Sequence, residues 1–351
     1  MKTTFVSSSA VSNALRYSLL RQQSALTKAQ KEVGTGFVAD RGLALGARTA
    51  QSITLNRDLA RLDGIVDSNG LVASRLAATQ TSLGEINKAA QTLLSSLTSS
   101  ASGDAAYALT QKSARGTLDT MTAVLNTSLN GEYLFAGTNT DVKPINEFKA
   151  GSPTKAAFDA AFLANFGFDQ NAPAAANISA AQMDSFLTNV VEPMFLGAGW
   201  QAAGSPWSNA TDQGITSRIT LNETTETSVS ANNEGIRKIA MAAAFVSDLL
   251  DSNVGAAARE VVVNRAVSTI GSAISEVGQL QSQAGIIEQR VENATERVKM
   301  QMDLFERHIL DTEGVDPYRA STMVTDLLSQ IEKSYALTAR IQQLSLMKFL
   351  S

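Results

Sequence analysis

The 351-residue chain has no cysteine, one histidine, six prolines and two tryptophans. Without cysteine there are no disulfides, no thiolate metal sites and no cysteine nucleophile. With His308 alone, nucleophilic triads would have to be built on that residue, and a two-histidine metal site is excluded. A lone histidine near the end of a helical pattern reads as a surface or packing residue. There is no block of basic residues: 29 Lys and Arg stand against 33 Asp and Glu, a net charge of −4. Nucleic-acid binding needs clustered cations facing phosphates, so that class is set aside. The longest apolar stretch, Ile239 to Val246, falls far short of the ~20 residues that span a bilayer. No apolar segment follows Lys2, so a cleaved signal peptide is not expected. Glycine-rich phosphate loops are missing, and the carboxylates are scattered along amphipathic stretches as solvated faces. Enzymatic function, a cofactor and a metal are therefore not expected.

What is present is helical periodicity. Leu15, Leu19, Gln22, Leu26, Ala29 and Val33 follow a 4-3-4-3-4 spacing, which places them on one helix face at coiled-coil intervals. Gly34 and Gly36 break that pattern. A second stripe runs through Leu62, Val66, Asn69, Ala73, Leu76, Gln80, Leu83, Asn87, Ala90, Leu94 and Leu97, alternating steps of four and three. Asp104 is placed to cap a further helix carrying Leu109, Leu118, Met121, Leu125 and Leu129. The C-terminal arm mirrors this: a helix over 233–251, then a stripe from Val263 to Phe305 that suits one helix over 256–310, roughly 80 Å long at 1.5 Å per residue. Gly314 and Pro317 punctuate, and a final helix is expected from about Ser321 to Leu350. Its first face carries Val324, Leu327, Leu328, Ile331 and Tyr335. Leu337, Ile341, Leu344 and Met347 are assigned to the opposite side, with Leu346 and Phe349 on the first.

Between 141 and 230 the composition changes. Five of the six prolines lie there, with Trp200, Trp207 and seven phenylalanines from Phe148 to Phe195. Aromatics bury the most area per residue, so this zone is expected to hold a compact core of its own and to tolerate excision. The fold class is thus mainly α: a helical stalk or coiled coil made by the N- and C-terminal arms, with an inserted α+β or β-rich outer domain. The expected divisions are terminal assembly helices over 1–40 and 315–351, a helical rod over 41–140 and 231–314, and the insertion over 141–230. A helix apolar on more than one side must be covered on more than one side. The terminal helices are therefore expected to pair with each other and with other subunits. Two rivals remain: an adhesin on a helical stalk, and a hydrolase stacking sugars on Trp200 and Trp207.

At residues 129–141, "LNGEYLFAGTNTD", Asn130-Gly131 reads as a helix stop at positive φ, and Tyr133–Ala136 as a short strand. The segment Asn130, Gly131, Glu132, Tyr133, Leu134, Phe135, Ala136, Gly137 resembles the passage from the second long helix to the outer region in the flagellin superfamily. The end "DPYRASTMVTDLLSQIEKSYALTARIQQLSLMKFL" is similar to the same superfamily's final helix, with Leu344-Ser345-Leu346 as its closing run. "QKEVGTGFVAD", Gln30 to Asp40, resembles its Thr-Gly break. Within the superfamily the chain looks most like the hook-associated protein 3 family of hook–filament junction proteins. Flagellin is the alternative, but "DRGLALGARTAQ" stands where flagellins carry an Asp-Asp-Ala-Gly type signature. The resemblance covers 1–140 and about 232–351. It implies a structural subunit on the extracellular flagellum, exported without a cleaved signal peptide. The implied partners are other copies in a ring, the second junction protein, flagellin and an export chaperone, with neither nucleic acid nor membrane among them.

Overall fold

The computed structural model describes residues 8–99, 104–200, 207–250 and 252–350; in the last helix, side chains are described to residue 341. The chain is mainly helical and separates into two units, residues 1–64 with 298–351 and residues 65–297. The division falls inside two continuous helices, α3 (Thr49–Ser99) and α9 (Ala256–Glu313). These are the two helices that the long heptad stripes predict.

The terminal unit also contains α1 (Ser8–Thr35), the short α2 (Arg41–Leu45) and α10 (Pro317–Leu350). Asp40 caps α2 by accepting a hydrogen bond from Leu43 N at 3.1 Å. α10 begins four residues earlier than the sequence reading. Pro317 is not a break but the first helical residue, where its missing N–H costs nothing. Asp316 ahead of it accepts from Tyr318 N at 2.8 Å, which supplies the cap.

In the larger unit, α4 (Asp104–Leu125) is followed by the two-residue strands β1 (Ser128–Leu129) and β2 (Glu132–Tyr133), paired antiparallel. α4 therefore ends before Asn130-Gly131. These two residues, at φ 54° and 87°, form the tight turn of a hairpin, for which Asn-Gly at positive φ is the preferred pair. The expected strand over Tyr133–Ala136 is correspondingly reduced to Glu132–Tyr133. The insertion is helical, with α5 (Pro153–Phe166), α6 (Ala180–Phe186) and α7 (Glu192–Leu196), followed by one hairpin of β3 (Thr216–Thr220) and β4 (Glu223–Glu226). It is the α+β form of the expectation, not the β-rich one. Ser152 caps α5, and Ser179 with Gln182 forms a capping box on α6.

α8 (Glu234–Leu249) is buried on nearly all sides, from Ile236 through Leu249. That burial explains the chain's longest apolar stretch as a core helix. The insertion does not keep a separate core. Phe158, Phe162, Phe186, Phe195, Trp200 and Trp207 join one cluster with Leu118 and Met121 of α4, Phe245 of α8 and Val262 of α9. α8 is apolar all round and packs on α4 and on α7 of the insertion, which draws the insertion's aromatics into the same core. Trp200 and Trp207 are 2% and 5% exposed and stack on each other at 6.2 Å, so neither offers a face to a sugar. Trp200 Nε1 donates to Asn232 Oδ1 at 2.7 Å; Ser208 Oγ shares that acceptor, and Asn232 Nδ2 donates to Ala210 O at 2.8 Å. This buried amide is fully used, as burial of a polar group requires.

Candidate assembly surface

In the terminal unit α1 and α10 pack along each other in antiparallel register. Ser334 Oγ hydrogen-bonds Gln22 Oε1 at 3.1 Å, and Gln23 Nε2 donates to the Tyr335 hydroxyl at 3.0 Å. At the base of the pair, Phe37 bridges Gly314, with Val38 N donating to Glu313 O at 2.8 Å and Val315 N to Gly36 O at 2.9 Å. That register sets Leu15 level with Ile341, Leu26 with Ile331, Ala29 with Leu327 and Val33 with Val324.

Burial follows the seam. Ala29, Leu327 and Ile331 are buried, and Leu15, Leu19, Leu26, Val324 and Ile341 are half-buried. Ile341 thus joins the face of Val324, Leu327 and Ile331 instead of the opposite one. The seam of α10 continues at steps of three and four through Ser334 and Thr338, whose small polar side chains hid the repeat. Leu328 and Tyr335, grouped with that face in the sequence, stand beside it and are 44% and 52% exposed. Val33, at the base, is 42% exposed. Leu344, Leu346, Met347 and Phe349 lie on α10, but their side chains fall outside the described residues.

The loop after α1 is fixed by a residue the periodicity did not single out. The Glu313 side chain is fully buried. Its Oε1 accepts from Ser52 Oγ and, at 3.0 Å, from Asn56 Nδ2, while Arg41 Nε lies 2.6 Å from Oε2. One carboxylate so ties the end of α9 to α2 and the start of α3. Gly36 (φ 75°) turns the chain out of α1, and Glu32 Oε1 accepts from Ala39 N at 3.1 Å to hold the turn. The Thr-Gly break is thus the joint of the terminal pair. The only sequence signal for Glu313 was its place next to Gly314.

The motif at 130–137 belongs to the larger unit and is a joint too. Leu134, Phe135 and Ala136 are buried. Phe135 O accepts from Ala231 N at 2.8 Å and Ala136 O from Thr211 N at 3.1 Å. The outgoing chain therefore pairs with the returning chain at the mouth of the insertion. Gly137 (φ 64°) lies against the backbone of Thr211 and Gln213, where any Cβ would collide. Glu132 forms an ion pair with Arg75 of α3.

Large hydrophobic side chains left exposed are unevenly distributed. Of eighteen among the described residues, thirteen lie in the terminal unit, including Tyr17, Leu20, Leu43, Ile53, Tyr318, Met323, Leu328 and Leu337, against five in the larger unit. Single exposed leucines are ordinary; a concentration of this kind on one unit is not. Among the described residues no group of three metal-binding side chains occurs, and no helix is long and apolar enough to cross a membrane.

Comparison with known proteins agrees with this geometry. The model for the bacterial flagellin N-terminal helical region matches residues 6–140, and that for the bacterial flagellin C-terminal helical region matches residues 267–350, together more than half of the chain. No curated protein matches significantly. A solved structure from Vibrio parahaemolyticus, provisionally described as a flagellar hook-associated protein, is similar over 76% of this chain and 97% of its own, with a TM-score of 0.52 at 10% identity. That likeness is one of fold. With α1, α3, α10, most of α9 and the 130–137 joint inside the matched regions, the chain belongs to the flagellin superfamily and is a structural component of the bacterial flagellum.

Proposed function

We propose that this protein is a subunit of the hook–filament junction, assembled through the outer faces of α1 and α10. The observation that carries the reading is the crowding of exposed apolar side chains on the terminal unit, beside a seam that already uses the inner faces of both helices. An unassembled surface of that kind is poorly tolerated by a monomer. The absence of the flagellin-type signature at 40–51 supports the junction over the filament, as does the fold likeness to a hook-associated chain. On this reading the partners are other copies in a ring, the second junction protein, filament flagellin, and an export chaperone that covers the C-terminal helix before assembly. Neither a cofactor nor a reaction is part of it. The flagellin reading keeps the same surface and differs only in place. Gold-labelled antibody against the 141–230 segment tests the choice: label confined to the base of each filament is expected, and label along the whole filament overturns it.

A further inference from the structure

The β3–β4 hairpin crosses α3 and α9 within the larger unit, and it is fastened there separately from the main core. Ile219 is its one fully buried apolar side chain. It packs in a small cluster of its own with Val72, Leu76, Val291 and Ala294. A register shift between Arg218 and Thr220 leaves Ile219 outside the regular pairing, as a bulge does when it re-aims a side chain. The other fastenings are polar. Asn69 Nδ2 donates to Ile219 O at 2.9 Å and to Thr295 Oγ1 at 3.0 Å. Glu223 accepts from Arg290 Nε at 2.8 Å and Arg297 Nη2 at 3.0 Å, and both arginines are more than half exposed.

Two features lower the cost of releasing this contact. Asn69 is 1% exposed, yet its Oδ1 has no hydrogen-bond partner. Lifting the hairpin would rehydrate an atom that burial now leaves unsatisfied. Beneath the hairpin's root lies an open cleft of about 300 Å³, floored by Leu76, Leu280, Ala284 and Ile287. The strands are therefore incompletely backed by side chains where they join the domain. Segments with few buried apolar contacts and solvent-reachable ties open below the global unfolding free energy.

We propose that the β3–β4 hairpin is a strap that opens locally, uncovering Val72, Val291 and Ala294, with the Glu223–Arg290–Arg297 cluster setting how often it does so. The proposal is independent of where in the flagellum the chain sits. The ion cluster is exposed enough to be screened, so opening rises with ionic strength.

The cysteine-free chain permits a direct test on the full-length protein. Ala294→Cys places a thiol under the strap, and Ala273→Cys places one in the main core, both at positions now 0% exposed. The thiol at 294 should react with a maleimide faster than the one at 273, and faster still as salt is raised. Adding Glu223→Gln should raise the 294 rate about fivefold, the worth of a modest surface ion pair, and flatten its salt dependence. Equal rates at 294 and 273, or a 294 rate indifferent to both Glu223→Gln and salt, would overturn the strap. Amide exchange of residues 216–226 in the unmodified protein gives the same comparison without a core substitution: exchange at the rate of the α8 amides refutes local opening.

Discussion

At the scale of single residues, the joints depend on polar atoms with fixed partners. Glu313 is the clearest. Glu313→Ala removes the acceptor of Ser52 and Asn56 and should cost about 1–3 kcal/mol, the penalty of stranding buried donors. Glu313→Gln keeps an amide oxygen for both but turns an N–H donor toward Arg41 in place of the carboxylate oxygen; Arg41 is 48% exposed and can swing to water, so the change should cost about 1 kcal/mol, less than the alanine. Chemical denaturation separates the two; equal losses would mean that the ion pair, not the hydrogen bonds, holds the joint. Gly137→Ala should be worse than a usual glycine substitution. It combines a left-handed φ with a collision against Thr211 backbone. The glycine was legible as part of a motif; the steric reason was not, because the partner lies more than seventy positions away. Asp248 gives a pH signature. Burial raises its carboxyl above the ordinary 3.8, and the hydrogen bond and charge of Lys155 offset this only in part. A buried acid whose folded pKa is raised contributes most to stability at acid pH. That contribution falls as pH climbs from the unfolded value through the folded one. Asp248→Asn removes the fall, so its stability relative to wild type should improve between pH 3 and neutrality; a pH-independent difference would show that Asp248 does not titrate there.

Elements differ in how openly the sequence announces them. α3 and α9 were legible because five or more heptads of apolar residues average out the polar members, and Leu62, Leu76, Leu83, Leu97, Ile270 and Val277 are buried as the stripes require. Asn130-Gly131 was misread because positive φ at Asn-Gly serves a helix end and a hairpin turn equally. What decides between them is the pairing of Ser128 with Tyr133, a contact that residue preferences alone do not reveal. Ser334 and Thr338 concealed the α10 seam for a related reason: a coiled-coil position can be filled by a small hydroxyl residue that bonds its own helix, as both do. The insertion's aromatics were read correctly as buried and wrongly as self-contained. Excising 145–228 is therefore expected to strip cover from α4 and α8. The shortened chain should lose helical circular dichroism and aggregate, where a self-contained domain would leave both unchanged.

For the whole molecule, the sequence supplied the class and the two arms, while the exposed apolar side chains on which the proposed assembly rests emerged only from the structure. Leu20 on α1 and Leu328 on α10 are 60% and 44% exposed, whereas Leu327, one position from Leu328, is buried in the seam. That adjacency allows assembly to be separated from folding. Leu327→Asp should unfold the α1–α10 pair, because an unpaired carboxylate placed in an apolar contact costs several kcal/mol. Leu20→Asp with Leu328→Asp places charge only where water already reaches, so the monomer's melting temperature should stay within a degree or two of wild type. If the outer faces meet other subunits, the double variant should nevertheless fail to support filament attachment, because the same charges are then buried on assembly. Motility lost with the monomer's melting unchanged, and flagellin shed into the medium, is the expected result. Motility retained would assign the exposed leucines no part in assembly. A melting temperature lowered as far as by Leu327→Asp would place them in the monomer's own core.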